Sequence, residues 1–130
     1  AQIYETGSGD ELHRRSLYTF WKRLAPPPAM TAFDAPTRDL CTVRRASTNT
    51  PLQALVLLND RTYFEAARAL GERVCREAPT TETRVALLFR RLLARAPTAS
   101  ETAILAGLAE TRGWTLAASA MLNLDEVICR

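Results

Sequence analysis

The chain has 130 residues, 47% hydrophobic and 24% charged, enough for one ordinary globular domain that buries roughly two-thirds of its unfolded surface and needs no disulfide or metal to fold. Its net charge of +3 rests on 17 basic residues, 16 of them arginine, and the pairs Arg14-Arg15, Arg44-Arg45 and Arg90-Arg91 are separated by acids such as Asp10, Asp39, Glu65 and Glu82. No continuous basic stripe follows from that pattern, so nucleic acid is disfavoured as a partner, and no apolar run approaches the ~20 residues that cross a bilayer.

In chain order, residues 1–13, with the polar run TGSGD, read as a loose lead-in, and residues 14–130 as a single helical domain. HRRSLYTFWKRL places Leu17, Phe20, Trp21 and Leu24 on one helix face, although its β-formers also allow a strand. Tyr18, Phe20 and Trp21 have the chemistry of a sugar-stacking platform, but aromatics at helical spacing more often belong to a core. APPPAMTAFDAPTRD is expected to be extended, because Pro26, Pro27, Pro28 and Pro36 oppose helix in themselves and in the residue before each. LCTVRR then allows a short strand over residues 40–45.

Helices follow in close succession. Thr50-Pro51-Leu52-Gln53 has the form of a capping box, so a helix starts at Pro51. From Leu52 to Leu58 it is apolar around nearly its whole circumference, which predicts a central helix buried on all sides. Leu55 and Leu58 are therefore expected in the core, with Leu55→Ala costing about 2–5 kcal/mol. Asp60 caps a helix over residues 61–77 whose inner stripe is Tyr63, Ala66, Ala67, Leu70 and Val74. Pro79 ends it. Thr80 or Thr81 opens the next, with Val85, Leu88, Phe89 and Leu92 inward and Arg90, Arg91 and Arg95 near its C-terminal end, where cations suit the helix dipole. Pro97 interrupts, Thr98 and Glu101 form a second capping box, and Ile104, Leu105 and Leu108 are the buried side of that helix. After Gly113 a last helix carries Trp114, Ala117, Met121, Leu124 and Ile128 on one side. The fold class expected is mainly α, a compact bundle of five or six helices behind an irregular, proline-rich N-terminal third.

Chemistry-bearing sets are sparse. His13 is the only histidine and no serine lies in G-x-S-x-G, so a hydrolase triad has no support, and no phosphate-binding glycine loop occurs. Cys41, Cys75 and Cys129 form no C-x-x-C, which argues against a zinc site, a disulfide framework or a haem attachment; they read as buried, inert thiols. Asp125 and Glu126 are adjacent on a helix and diverge by about 100°, which suits capping or ion pairing better than acid–base work. One segment, residues 33–55, concentrates Asp34, Arg38, Arg44, Arg45, Asn49 and Gln53 between proline-bounded loops and an apolar helix. The favoured reading is an internal lock in which Asp34 pairs with an arginine. The alternative is an anion or glycan pocket in which one arginine stays free for ligand.

RRSLYTFWKR, PPPAMTAFDAPTRDLCTVRRASTNTPLQALVLLND, EAARALGERV, RAPTASE and WTLAASAMLNLDE, in that order over residues 14–126, resemble the planctomycete-specific C-terminal domain of unknown function. The resemblance implies the C-terminal piece of a large exported protein of the periplasm or cell envelope, in organisms rich in sulfatases and polysaccharide degradation. Such proteins often carry a c-type cytochrome-like segment, so haem belongs elsewhere in the parent and no cofactor to this segment. It implies no known reaction. Two departures from the family pattern stand out: TRGWT joins two helices where relatives carry a longer connection, which forces a tight turn at Gly113 if the deletion is real, and Ala46-Ser47 replace residues that tend to be charged. The leading expectation is a noncatalytic helical module that docks on the rest of its parent chain or another protein. The alternative is part of a carbohydrate-active enzyme or binder that takes acidic or sulfated glycans through Asp34, Arg38, Arg44, Arg45 and Asn49.

Overall fold

The computed structural model describes residues 9, 11, 16–22, 26–37, 39–44 and 46–129, and the chain divides into two compact units, Ala1–Arg45 and Ala46–Arg130. The first unit holds a 3-10 turn at Ser16–Tyr18 and a short helix, α1, Pro28–Ala32. In its described part the stretch expected as helix or strand forms that turn and an isolated bridge at Lys22, and Leu17, Tyr18 and Phe20 stand 72%, 70% and 62% exposed, so the core reading fails for them. Aromatic and β-branched side chains in succession lose rotamer freedom in a helix, which disfavours one here.

Helix α1 corrects the extended reading of residues 25–39. Pro27 is its N-cap and Pro28 its first residue, positions at which a helix has no use for the missing N–H groups. Pro36 lies beyond the exit, where Asp34 turns the chain at φ 56° and the Ala35 N–H donates to the Met30 carbonyl at 2.9 Å. No strand forms among the described residues of the 40–45 stretch, and Leu40 and Val43 are exposed.

The second unit contains α2 (Pro51–Asn59), α3 (Arg61–Glu77), α4 (Thr81–Leu93), α5 (Ala99–Arg112), α6 (Trp114–Leu122) and α7 (Asp125–Ile128). The protein is thus mainly helical, with no strand among the described residues, and no helix is long and apolar enough to cross a membrane. The helix starts follow their caps. Thr50 with Gln53, Thr80 with Thr83 and Thr98 with Glu101 form capping boxes, and Asp60 closes α2 while its side chain accepts from the Thr62 N–H at 2.8 Å to open α3. Gly113 alone links α5 to α6 at φ 87°, a left-handed conformation that favours glycine, so the tight turn expected there is formed.

The core is built where α4, α5 and α6 meet, around Val85, Phe89, Leu93, Leu105, Ala117 and Met121. A second cluster joins α3 to α4 and α6 through Ala67, Val74, Leu88 and Ala118. Trp114 packs against both clusters, and the Arg84 guanidinium lies 5.5 Å from its ring while donating to the Ala78 carbonyl at the end of α3. Beyond α2, three inward assignments fail: Ala66 is exposed, Ile104 is 71% exposed, and Leu124 falls in a break between α6 and α7 at Asn123–Leu124. Cys41 and Cys129 are exposed and Cys75 half-buried, so the thiols are free but not buried.

Helix α2 is the largest correction. Gln53 and Leu57 are buried at 1% and 7%, but Leu52, Leu55 and Leu58 are 56%, 57% and 54% exposed. At roughly 100° per residue the three leucines fall in one arc opposite Gln53 and Leu57. The helix is two-faced, and both faces are apolar. Leu55→Ala at a site this exposed is expected to change stability by less than about 1 kcal/mol, not by the core-sized loss inferred from composition.

Candidate functional site

The polar residues singled out in the sequence divide between the two units. In the first, Asp34 is half-buried in the turn after α1 and Arg44 is exposed; Arg38 and Arg45, like His13, lie outside the described residues. In the second, Asn49 and Gln53 gather at the start of α2. Gln53 accepts from the Thr50 N–H at 3.2 Å, and its amide donates to the Thr48 hydroxyl at 3.2 Å. A buried amide must be bonded, and this one is bonded within its own cap. The Asn49 amide donates to Asp125 Oδ1 at 2.6 Å, which ties the entry of α2 to α7.

The neighbouring Glu126 serves a different segment, so the two adjacent acids of α7 hold two separate loops. Arg95, just beyond α4, donates from Nε and Nη2 to the Glu126 carboxylate at 2.9 and 3.1 Å. It donates from Nη2 and Nη1 to Glu101 at 2.7 and 3.0 Å, and from Nη1 to the Ala96 carbonyl at 3.2 Å. All five guanidinium donors are used. The guanidinium also lies 4.9 Å from the Phe89 ring. A groove of about 420 Å3 opens beside it, lined by Leu93, Ala94, Arg95, Glu126 and Cys129. With its arginine saturated, this groove is a structural lock with no guanidinium donor left over for a ligand.

Arg95, and after it the Thr98 N–H, hold the Glu101 carboxyl at about 2, below its ordinary 4.5. A carboxyl lowered on folding contributes stability that is complete above about 4.5 and lost as pH falls through about 2. The Glu101 side-chain carbon, followed by NMR through an acid titration, should therefore show its midpoint near 2. A midpoint at the ordinary value would mean that the lock does not exist in solution.

Among the exposed apolar side chains of the second unit, Leu52, Leu55 and Leu58 share a single helix face, the outer face of α2. Its Leu52, Leu55 and Leu58 carry no charge and no hydrogen-bonding side chain, and the helix from Pro51 to Asn59 contains no ionisable residue at all. Composition alone hid this face, because a helix apolar on both sides has no polar stripe to mark its outside. The one signal was Gln53, whose role in the cap fixes the direction in which the helix turns its polar atom.

The family model described as "PSD1: Protein of unknown function (DUF1553)" matches residues 1–109, from the N-terminus into α5. No curated protein and no solved structure matches the chain. The match takes in both the proline-bounded segment and α2 with its exposed leucines, and on that basis the chain belongs to this family of proteins of unknown function.

Proposed function

We propose that the chain is a noncatalytic helical module of an exported cell-envelope protein, and that the outer face of α2 docks it onto the rest of that protein. The observation that carries this reading is the arc of Leu52, Leu55 and Leu58, each more than half exposed on a capped, uncharged helix. Covering the exposed half of each leucine is worth about 1 kcal/mol, about 3 kcal/mol together. Association of separate molecules costs roughly 4 kcal/mol or more, so a face this small does not hold an untethered partner by itself. A tether that supplies millimolar effective concentration removes most of that cost, which favours a partner in the same polypeptide.

The glycan alternative has lost one of its groups to an internal bond, since Asn49 is given to Asp125, and the neighbouring Gln53 is bonded in the cap. Docking is tested by hydrogen exchange. In the full-length protein the α2 amides should exchange at least tenfold more slowly than in this chain alone. A Leu52→Gln/Leu55→Gln/Leu58→Gln variant should lose that protection while the isolated chain melts within a few degrees of the parent sequence. Equal exchange in both contexts would sink the reading.

A further inference from the structure

The groove between α3 and α4 carries an unbalanced charge that neither the docking face nor the Arg95 lock uses. Arg73 donates from Nε to Glu77 Oε1 at 2.9 Å, and Arg91, from the facing helix, donates from Nη2 to Oε2 of the same carboxylate. Two guanidiniums thus share one acid. Residues three and four positions from Arg73 are Ala69, Leu70, Arg76 and Glu77, and those from Arg91 are Leu87, Leu88, Ala94 and Arg95, so Glu77 is the only carboxylate within helical reach of either. Among the described residues no other ion pair reaches these two arginines. Each spends one N–H donor on Glu77 and keeps others.

These donors border an open groove of about 510 Å3 whose remaining lining is Ala69 and Leu70. Leu70 is half-buried and anchored on the Ala67, Val74, Leu88 and Ala118 cluster, so the apolar wall is fixed and not a mobile surface side chain. The groove is shallow and open to solvent, and its lining sets a short apolar wall beside two convergent cationic groups. Glu77 shows that both guanidiniums reach a single carboxylate, each through one charge-assisted N–H, so a second carboxylate can be met by the donors they keep.

We propose that this groove binds a small organic carboxylate, its charge shared between Arg73 and Arg91 and its apolar body resting on Leu70 and Ala69. Glu77 is then the internal competitor that an entering carboxylate displaces in part. Hydrogen bonds from Arg73 and then Arg91 keep its carboxyl below the ordinary range, so it competes in its ionised form throughout neutral pH.

Benzoate is the probe, titrated against the labelled protein by NMR at constant ionic strength set with chloride, with acetate as the probe that lacks an apolar body. Benzoate should saturate, with shifts centred on Leu70, Arg73 and Arg91, and acetate should bind at least about fivefold more weakly. Loss of a charge-assisted donor predicts about tenfold weaker benzoate binding in Arg73→Gln and in Arg91→Gln. Glu77→Gln keeps the shape but removes the competing charge, and should bind benzoate more tightly than the parent sequence. Arg73 is 61% exposed, so its variant leaves the core untouched and reads the site alone. The proposal is overturned by benzoate shifts no larger than those of matched chloride, by binding that survives Arg73→Gln, or by acetate binding as well as benzoate.

Discussion

Phe89→Ala should lower the stability of the chain by about 3–5 kcal/mol, the largest loss expected of any single side chain here. Phe89 is 1% exposed and is one of the largest fully buried side chains among the described residues, in the cluster shared by α4, α5 and α6. Truncation removes the transfer energy of the ring and leaves a cavity whose walls, Val85, Leu105 and Met121 among them, belong to three helices that cannot all close inward together. It also takes away the surface under the Arg95 guanidinium, which lies 4.9 Å from the ring centre. Domains of this size have a total stability of about 5–15 kcal/mol, so the variant should be marginal or unfolded at room temperature. Urea titration followed by circular dichroism gives the number, and Phe89→Leu, which keeps most of the volume, should recover more than half of it. A loss below about 1 kcal/mol in Phe89→Ala would mean that α4 does not pack as described.

The helix starts were legible in the sequence because their causes are local. Thr50, Asp60, Thr80 and Thr98 each reach a backbone N–H two or three residues ahead, and such a bond can be read from a window of four residues. Orientation was most legible where the helix carried contrast. The strongly amphipathic α4 put Val85, Leu88 and Phe89 inward as expected, whereas α2 and α5 have apolar residues on both sides and exposed Leu55, Leu58 and Ile104. No local rule chooses between two apolar faces; the choice is made by tertiary packing, of α2 on α3 and α6 and of α5 on α4 and α6. The proline run misled for a related reason, since Pro27 and Pro28 oppose a helix interior but suit a helix start. Within the polar segment, the sequence showed that Asn49 and Gln53 needed partners but not that Asn49 would find Asp125, 76 residues away. The pairing of Arg95 with Glu126 was hidden in the same way, although the charge of each was in plain view.

Gly71→Ala and Gly107→Ala are the same chemical change in the interiors of α3 and α5, and they should move stability in opposite directions. Exposing glycine backbone in a helix is unfavourable, and alanine is better by about 1 kcal/mol where space allows. At Gly107 it does: an added Cβ meets nothing within 4 Å, so this variant should be stabilised by about 0.5–1 kcal/mol. At Gly71 a Cβ would stand 2.9 Å from both the carbonyl carbon and oxygen of Trp114 and 3.1 Å from the Thr115 nitrogen. These are backbone atoms of α6, which cannot rotate aside as a side chain would. Relief requires α3 and α6 to separate, and with them Ala67 and Ala118, both fully buried, and Trp114, which packs on both core clusters. Overpacking of this kind costs about 1–3 kcal/mol and here belongs at the upper end, enough to reverse the propensity gain and leave a net loss of about 1–2 kcal/mol. Thermal melts of the two variants should therefore lie on either side of the parent chain, separated by roughly 10 °C for a domain of this size. Two upward shifts would show that α3 and α6 are farther apart than the structure places them, and two downward shifts would show that α5 is not helical at Gly107.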